Sequence, residues 1–423
     1  NILIFLLNFK KSKKNITINM IVKSQTNKEL DSILQEYTNN GKLPCALGAV
    51  INKDNGLLYV GSSGLKDIEN NDSLIDNDAT LAFFSCSKSI TTTALLQLIE
   101  KGLIKSIDDP VENYVKDIKD VYIINGFDDN NKPILTKPKT KPTLRHLLTH
   151  TSGFAYSFFN YHYKTLQDTT GIPNILNSTW DDFNTPLTFE PGTKWHYGAG
   201  IDWVGKVIYD VTNMSLGDYC KENIFNKLNA PSLTFERSKD QINNTIELHQ
   251  RNIENPIELK PLRDVLPEKA EFHAGGHGCF GTITDFMKFL EIFLHEGKCP
   301  ETGFQILKPE TIANYSFKNL LPENVFIKST LDYSDANLSN KIDLEKIPDN
   351  LQGWTSSFHK IDCSLPTGRG KSYSWAGLPN LYYWIDIDNG IIGMWATQVF
   401  PFMDNDSLEC FNKFETAVYQ NFL

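Results

Sequence analysis

Apolar positions along this chain recur with two different periods, and the periods are segregated. Leu30, Ile33, Leu34 and Tyr37 repeat at helical spacing, which predicts a short amphipathic helix over Asn27 to Tyr37. Ala46 to Ile51 and Leu57 to Val60 are short apolar runs flanking Asn52-Lys53-Asp54-Asn55-Gly56, the pattern of a β-hairpin with glycine in its turn. Thr91 to Ile99 is apolar almost all round and predicts a buried helix. From about residue 90 to 300 the pattern is mainly helical, broken by loops such as Gly126-Phe127-Asp128-Asp129-Asn130-Asn131-Lys132-Pro133. Strand patterns return at Tyr373 to Trp375, Leu381 to Ile387 and Ile391 to Gln398, with Asn389-Gly390 as a turn, and Leu408 to Phe422 closes as a helix. Residues 318–352 are polar and read as a loop-rich insertion.

Strand patterns near both ends and helices between them predict one antiparallel sheet built from both termini, in an α/β (α+β) fold with an inserted, mainly helical lobe. The expected division is a sheet lobe over 27–80 and 355–423 and a helical lobe over 90–300, together one domain spanning 20–423. Residues 1–19 run from Ile2-Leu3-Ile4-Phe5-Leu6-Leu7 into Lys10-Lys11-Ser12-Lys13-Lys14. That apolar run is too short to span a bilayer and its basic cluster lies on the wrong side for a secretory signal. They read as a disordered or non-native extension, with Met20 as a natural start.

Bulk chemistry narrows the partners. The 423 residues carry a formal net charge of -10, which argues against nucleic acid and against anionic membrane surfaces. Seven cysteines, scattered and without a C-x-x-C pair, favour neither a disulfide framework nor a zinc site and fit a reducing, cytoplasmic compartment. His146 with His150, and His273 with His277, are four apart, but no third ligand accompanies either pair, so no metal and no cofactor is expected.

Candidate chemistry concentrates at Ser85-Cys86-Ser87-Lys88, directly before the buried helix. A serine hydroxyl needs a base to become a nucleophile, and a lysine three residues on along a helix lies one turn away on the same face. Cys86 between them reads as a small buried filler. A second element is Tyr197 in Trp195-His196-Tyr197-Gly198-Ala199-Gly200, where glycines let other backbone come close and an adjacent ammonium would hold the phenol partly ionised as a proton acceptor. A third is Ser374-Trp375-Ala376-Gly377-Leu378-Pro379-Asn380 on an expected strand, whose backbone N–H groups could supply half an oxyanion hole.

These three elements, in this order, resemble the serine β-lactamase-like family of penicillin-binding proteins, class C β-lactamases and family VIII carboxylesterases. Three further stretches are similar to landmarks of that family: Ser106-Ile107-Asp108-Asp109-Pro110-Val111, the run Thr143-Leu144-Arg145-His146-Leu147-Leu148-Thr149-His150-Thr151-Ser152-Gly153, and Ala274-Gly275-Gly276-His277-Gly278. The resemblance implies the β-lactamase/transpeptidase fold and an acyl-enzyme on Ser85, with Lys88 and Tyr197 as a coupled proton-transfer pair. It also implies an oxyanion hole from the N–H groups of Ser85 and Leu378. Ala199 and Trp375 stand where penicillin-recognising members carry an amide and a Lys or His, which places the chain nearer the esterase and acyltransferase branch. Trp375, Gly377, Ala199 and Phe154 are the expected substrate contacts, with Tyr156, Phe158 and Phe159 as further aromatic wall. The implied activity is hydrolysis of small or medium carboxylic esters. The alternatives are acyl transfer to an alcohol or amine and a non-catalytic, binding or self-assembling role. The expected partner is a small-molecule ester, with no nucleic acid and no stable membrane insertion.

Overall fold

The computed structural model describes residues 27–327, 331–342 and 346–423. The extension assigned to residues 1–19, with Met20, lies outside the described residues, as do 328–330 and 343–345 of the loop-rich insertion.

Helix α1 (Lys28–Asn39) begins at Asn27, whose side chain accepts the N–H groups of Glu29 and Leu30. Strands β1 (Cys45–Asn52) and β2 (Gly56–Gly64) form the expected hairpin. Helix α2 (Ser87–Glu100) follows, then strands β3 (Ile123–Phe127) and β4 (Pro133–Thr136). Helices α3 (Gly200–Thr212) and α4 (Ile283–Glu291) come next. Strands β5 (Gln352–Trp354), β6 (His359–Ile361), β7 (Ser372–Gly377), β8 (Leu381–Asp386) and β9 (Ile391–Ala396) precede the last helix, α5 (Asn405–Phe422).

Seven strands make one antiparallel sheet in the order β2-β1-β9-β8-β7-β6-β5. The N-terminal hairpin joins the C-terminal strands through β1 and β9, with Leu47 opposite Ala396. Both faces of the sheet are covered, so its central strands read as apolar runs and lack a polar side. Along β8, Tyr382 and Trp384 face α1 and α5 together with Leu34, Phe411 and Phe414. Leu381, Tyr383 and Ile385 face the other way, toward Phe286 of α4 and the large core beyond it.

Short strands accompany the helices. Within the mainly helical lobe over 90–300, the break at Gly126–Pro133 holds the turn of the β3–β4 hairpin. A second small sheet pairs Leu248–Arg251 with Leu259–Leu262 and with Val399–Phe400. Strands this short, carrying Pro133 or Pro261, leave too little period-two pattern to be seen in sequence.

Helix α2 is buried along nearly its whole length despite Ser87, Ser89, Thr91, Thr92, Thr93 and Gln97. Each of these side chains makes at least one hydrogen bond. Thr91 donates to the Gly275 carbonyl at 2.7 Å, Gln97 to the Ile306 carbonyl at 3.0 Å, and the Ser87 hydroxyl accepts the Cys279 N–H at 3.0 Å. The helix therefore sits as an axle between the sheet and the segments carrying Gly275 and Ile306, and its first turn is held from every side.

Gly48 of β1 faces α5 so closely that an added Cβ would lie 2.4 Å from the Phe414 ring, and Phe414 itself is fully buried. Gly48→Ala is expected to lower unfolding free energy by about 1–3 kcal/mol through overpacking. Phe414→Ala should lower it by about 3–5 kcal/mol through the cavity it leaves. Denaturant unfolding at fixed pH measures both.

Candidate active site

Ser85 lies in a single 3₁₀ turn, Phe84–Cys86, that runs into α2 without a break. The turn is held under strain. Phe84 has φ +45°, a left-handed conformation that costs a bulky residue of order 1–3 kcal/mol, and it persists because the ring is buried. Phe83 donates its N–H to the Cys279 carbonyl at 3.0 Å. On the opposite side the end of β7 presses in, and a Cβ at Gly377 would stand 2.6 Å from the Phe83 carbonyl oxygen. Gly377 is thus a packing requirement of the serine turn, and Leu378, next in sequence, lines the same small cavity as Ser85.

Lys88 is almost completely buried. Its Nζ lies 3.0 Å from Ser85 Oγ and 2.8 Å from the Gly276 carbonyl oxygen, with the rings of Tyr197 and Tyr156 at 4.9 and 5.2 Å. Burial pushes the Lys88 ammonium down to about 7, against the upward pull of Asp202 and Cys86. Near neutral pH a substantial fraction of this amine is neutral, with its lone pair within reach of the serine proton.

Tyr197 completes the group. Its oxygen accepts the Trp375 Nε1–H at 3.0 Å, and hydrogen bonding with Ser85 and Trp375 favours its ionised form. Burial outweighs these contacts and raises the phenol well above its ordinary value. The partly ionised tyrosine expected from the sequence is therefore corrected: at neutral pH the group is a phenol that can donate or relay a proton. The desolvation that neutralises Lys88 is the same desolvation that keeps Tyr197 protonated.

Close backbone packing explains the glycines around Tyr197. A Cβ at Gly198 would meet the Phe154 carbonyl oxygen at 2.1 Å and one at Gly200 the Leu147 carbonyl oxygen at 2.4 Å. The stretch Thr143–Gly153 is this support. Arg145 makes a two-pronged ion pair with Asp108 at 2.6 and 2.9 Å, and the Leu148 carbonyl accepts Trp354 Nε1–H at 3.1 Å. The His150 ring lies 4.5 Å from that of Tyr197, its imidazolium strongly disfavoured by burial and by the Lys88 charge. Of the four spaced histidines, His146 Nδ1 accepts the Thr143 N–H and His273 Nδ1 the Gly217 N–H, so their rings serve the backbone.

The cavity at Ser85 holds about 30 Å³ and is lined by Phe159, Trp195, Tyr197, Leu331, Ile342, Trp375, Ala376, Gly377, Leu378 and Phe402. No charged side chain lines it among the described residues. A much larger cavity, about 760 Å³, lies elsewhere, around Tyr122, Trp180 and Tyr209, and does not reach Ser85. Trp375 and Gly377, both expected contacts, line the cavity at Ser85. Two other expected contacts do not line the cavity. Phe154 is buried against Trp203, with ring centroids 5.0 Å apart, because the chain turns it into the core before reaching the cleft. Ala199 caps the start of α3 and faces Tyr156 and Trp203. From the aromatic run after Gly153, Phe159 is the one that reaches the cavity.

Sequence reasoning missed the support behind Lys88. Asp202 is fully buried, accepts the Gly276 N–H at 2.8 Å and the Tyr156 O–H at 3.0 Å, and lies 3.4 Å from His277 Nδ1. A carboxylate in the apolar run Ile201-Asp202-Trp203-Val204 was the available signal. Leu331 and Ile342 were hidden in the polar insertion. Their segment is bound to the aromatic run by the Asp332 and Ser334 N–H groups, which donate to the Phe159 and Phe158 carbonyls at 3.0 and 3.2 Å.

The Beta-lactamase family profile matches residues 30–412. Among curated proteins, the chain is 26% identical over 401 residues to the lovastatin esterase of Penicillium rubens, covering 89% of this chain and 94% of that one. It is 28% identical over 358 residues to the acyltransferase calJ of Penicillium decumbens, covering 82% of each. Among solved structures, unliganded simvastatin synthase (LovD) from Aspergillus terreus superposes with a TM-score of 0.78 at 24% identity, over 94% of this chain and 99% of that chain. That last likeness establishes the shared fold.

Gly377→Ala is expected to push the Phe83–Ser85 turn off β7. A displacement of the order of 1 Å costs reactivity about 10²-fold. The rate of Ser85 labelling by a fluorophosphonate measures this, with far-UV circular dichroism confirming that the fold is kept.

Proposed function

The chain belongs to the beta-lactamase family, and on that premise we propose that it is a serine hydrolase working through an acyl-enzyme on Ser85, most specifically an esterase of small or medium carboxylic esters. One observation carries the reading: the lysine amine 3.0 Å from Ser85 Oγ is pushed by burial down to about 7, beside a cavity that no charged side chain lines among the described residues. A carboxylate-bearing β-lactam or peptide finds no cation among those lining residues. The indole N–H of Trp375 is already engaged by Tyr197, leaving the ring face for an apolar acyl group.

In the proposed mechanism the neutral Lys88 amine takes the Ser85 proton, directly or through the Tyr197 phenol, as Oγ forms a bond to the ester carbonyl carbon. The N–H groups of Ser85 and Leu378 hold the oxyanion. As the carbon–oxygen bond to the leaving alcohol breaks, Tyr197 donates its proton to that oxygen and regains one from the Lys88 ammonium. Water then attacks the acyl carbon by the same route in reverse, releasing the acid and restoring Ser85. Lys88 and Tyr197 act as one coupled pair.

A second reading, acyl transfer, has its own support. Among the described residues around Ser85 the cavity offers almost no polar surface besides the serine and tyrosine hydroxyls, so water is poorly held there and an alcohol or amine could intercept the acyl group. The relatives include both an esterase and an acyltransferase by name. A small-molecule ester is the substrate in either case. No helix among the described residues is long and apolar enough to cross a membrane.

Ser85→Ala should lower turnover of nitrophenyl butyrate by roughly 10³- to 10⁶-fold. Intact mass spectrometry should place the acyl group on Ser85, and acylation at another residue would overturn the scheme. Hydrolysis of that ester should outpace hydrolysis of penicillin.

The pH dependence has a definite sign. Lys88 falls from 10.5 to about 7 on folding, so kcat/KM should rise with pH through a midpoint near 7, as the amine becomes neutral. Folded protein binds fewer protons than unfolded protein between about 7 and 10.5, so Lys88 lowers stability most below pH 7 and this penalty fades as pH rises across that window.

Partition decides between water and a second acceptor. The pre-formed acyl-enzyme should release its acyl group in buffer within the time of steady-state turnover. Slow release that an added alcohol or amine speeds by about 10²-fold would instead establish transfer.

A further inference from the structure

Two of the groups that touch the Lys88 amine are themselves held by one carboxylate. The Gly276 carbonyl lies 2.8 Å from Nζ, and the N–H of that same residue donates to Asp202 Oδ1 at 2.8 Å. The Tyr156 ring lies 5.2 Å from Nζ, and its O–H donates to Asp202 Oδ2 at 3.0 Å. Asp202 comes this near because position 276 is glycine: a Cβ there would stand 2.4 Å from Oδ2. His277 Nδ1, at 3.4 Å from Oδ1, completes the surroundings of the carboxylate.

A fully buried carboxylate is costly unless its oxygens are bonded. Asp202 is bonded, and the groups that bond it face the base. We propose that Asp202 is a positioning residue for the proposed acyl-enzyme chemistry: through the Gly276 peptide and the Tyr156 ring it fixes Lys88 Nζ against Ser85 Oγ. The inference rests on the reading of Ser85 and Lys88 as nucleophile and base, and it adds a residue that touches neither substrate nor serine.

The charge on Asp202 belongs to the same role, because it acts on the amine that the carboxylate holds in place. The titratable groups acting on Nζ are Cys86, His150, Tyr156, Tyr197 and Asp202. Burial raises the Cys86 thiol and both phenols and disfavours the His150 imidazolium, so these four are uncharged near neutral pH. For Asp202 burial acts upward too, but the His277 contact, the Lys88 charge and the Gly276 N–H outweigh it and hold the carboxyl below its ordinary value. Asp202 is therefore the negative charge within this group, and it draws the Lys88 equilibrium toward the ammonium.

The test reads Lys88 directly. In protein labelled with ¹⁵N-lysine, the Nζ resonance lost in Lys88→Met is followed against pH. Asp202→Asn should keep the fold and move the midpoint down by at least about 0.5 pH unit, the size expected when a nearby charge is removed. The acid limb of fluorophosphonate labelling at Ser85 should move by the same amount, with KM for a short ester unchanged and kcat lowered. Tyr156→Phe is the second variant. It keeps ring and charge but removes one hydrogen bond from the carboxylate, so it should move the midpoint up. A midpoint unchanged in folded Asp202→Asn overturns the proposal, and if that variant does not fold, an unchanged or lowered midpoint in Tyr156→Phe does so. Absence of acylation on wild-type Ser85 would instead overturn the proposed function, and the resonance would still decide the role of Asp202.

Discussion

Everything at this site depends on keeping one lysine amine away from water. A lysine in solvent is an ammonium at neutral pH and has no lone pair to offer a serine. Here α2 is buried along its length, and the end of Lys88 is enclosed by Tyr156, Tyr197 and the Gly276 carbonyl. Such enclosure requires the neighbouring polar groups to be bonded, which accounts for the buried threonines of α2 and for the glycines that admit foreign backbone. The apolar cavity, the protonated tyrosine and the buried carboxylate are consequences of the same enclosure.

The fold supplies that enclosure from parts distant in sequence. The serine turn rests on β7 at Gly377, the tyrosine loop on the segment around Leu147 and Phe154, and the lysine on Gly276. Each junction is a contact where a Cβ would intrude. Substitution at these positions therefore acts on geometry before it acts on chemistry, and the Phe84 backbone strain gives the serine turn somewhere to relax once a neighbour yields.

Much of this was legible in the sequence, for identifiable reasons. The hairpin, the C-terminal strands and both flanking helices were visible because each has a clean period and a turn or cap to bound it: Gly56 and Asn389-Gly390 for the strands, and Asn27 at the start of α1. Ser85, Lys88 and Tyr197 could be singled out because their motifs are local, and the fold brings the three together. Phe154 and Ala199 lie off the cavity because side-chain direction in a loop follows tertiary packing, which no spacing rule supplies. Asp202 was passed over because an acid in a helix usually faces solvent. Its burial becomes evident only when Gly276 and Tyr156, distant in sequence, are brought beside it.

The pairing of β1 with β9 has a consequence for how the chain is made. Leu47 meets Ala396 across that seam, so during synthesis the N-terminal hairpin has β1 as an unsatisfied edge until the segment carrying Ala396, more than three hundred residues on, has emerged. Contacts of this separation are slow to form, and an open apolar edge invites pairing with other chains in the meantime. Helix α2, made early, likewise waits for β7 to press on its serine turn. Nascent chains of this protein therefore pass through a long interval in which Ser85 exists but its surroundings do not, and the candidate site is completed late, together with the C-terminal strands of the sheet.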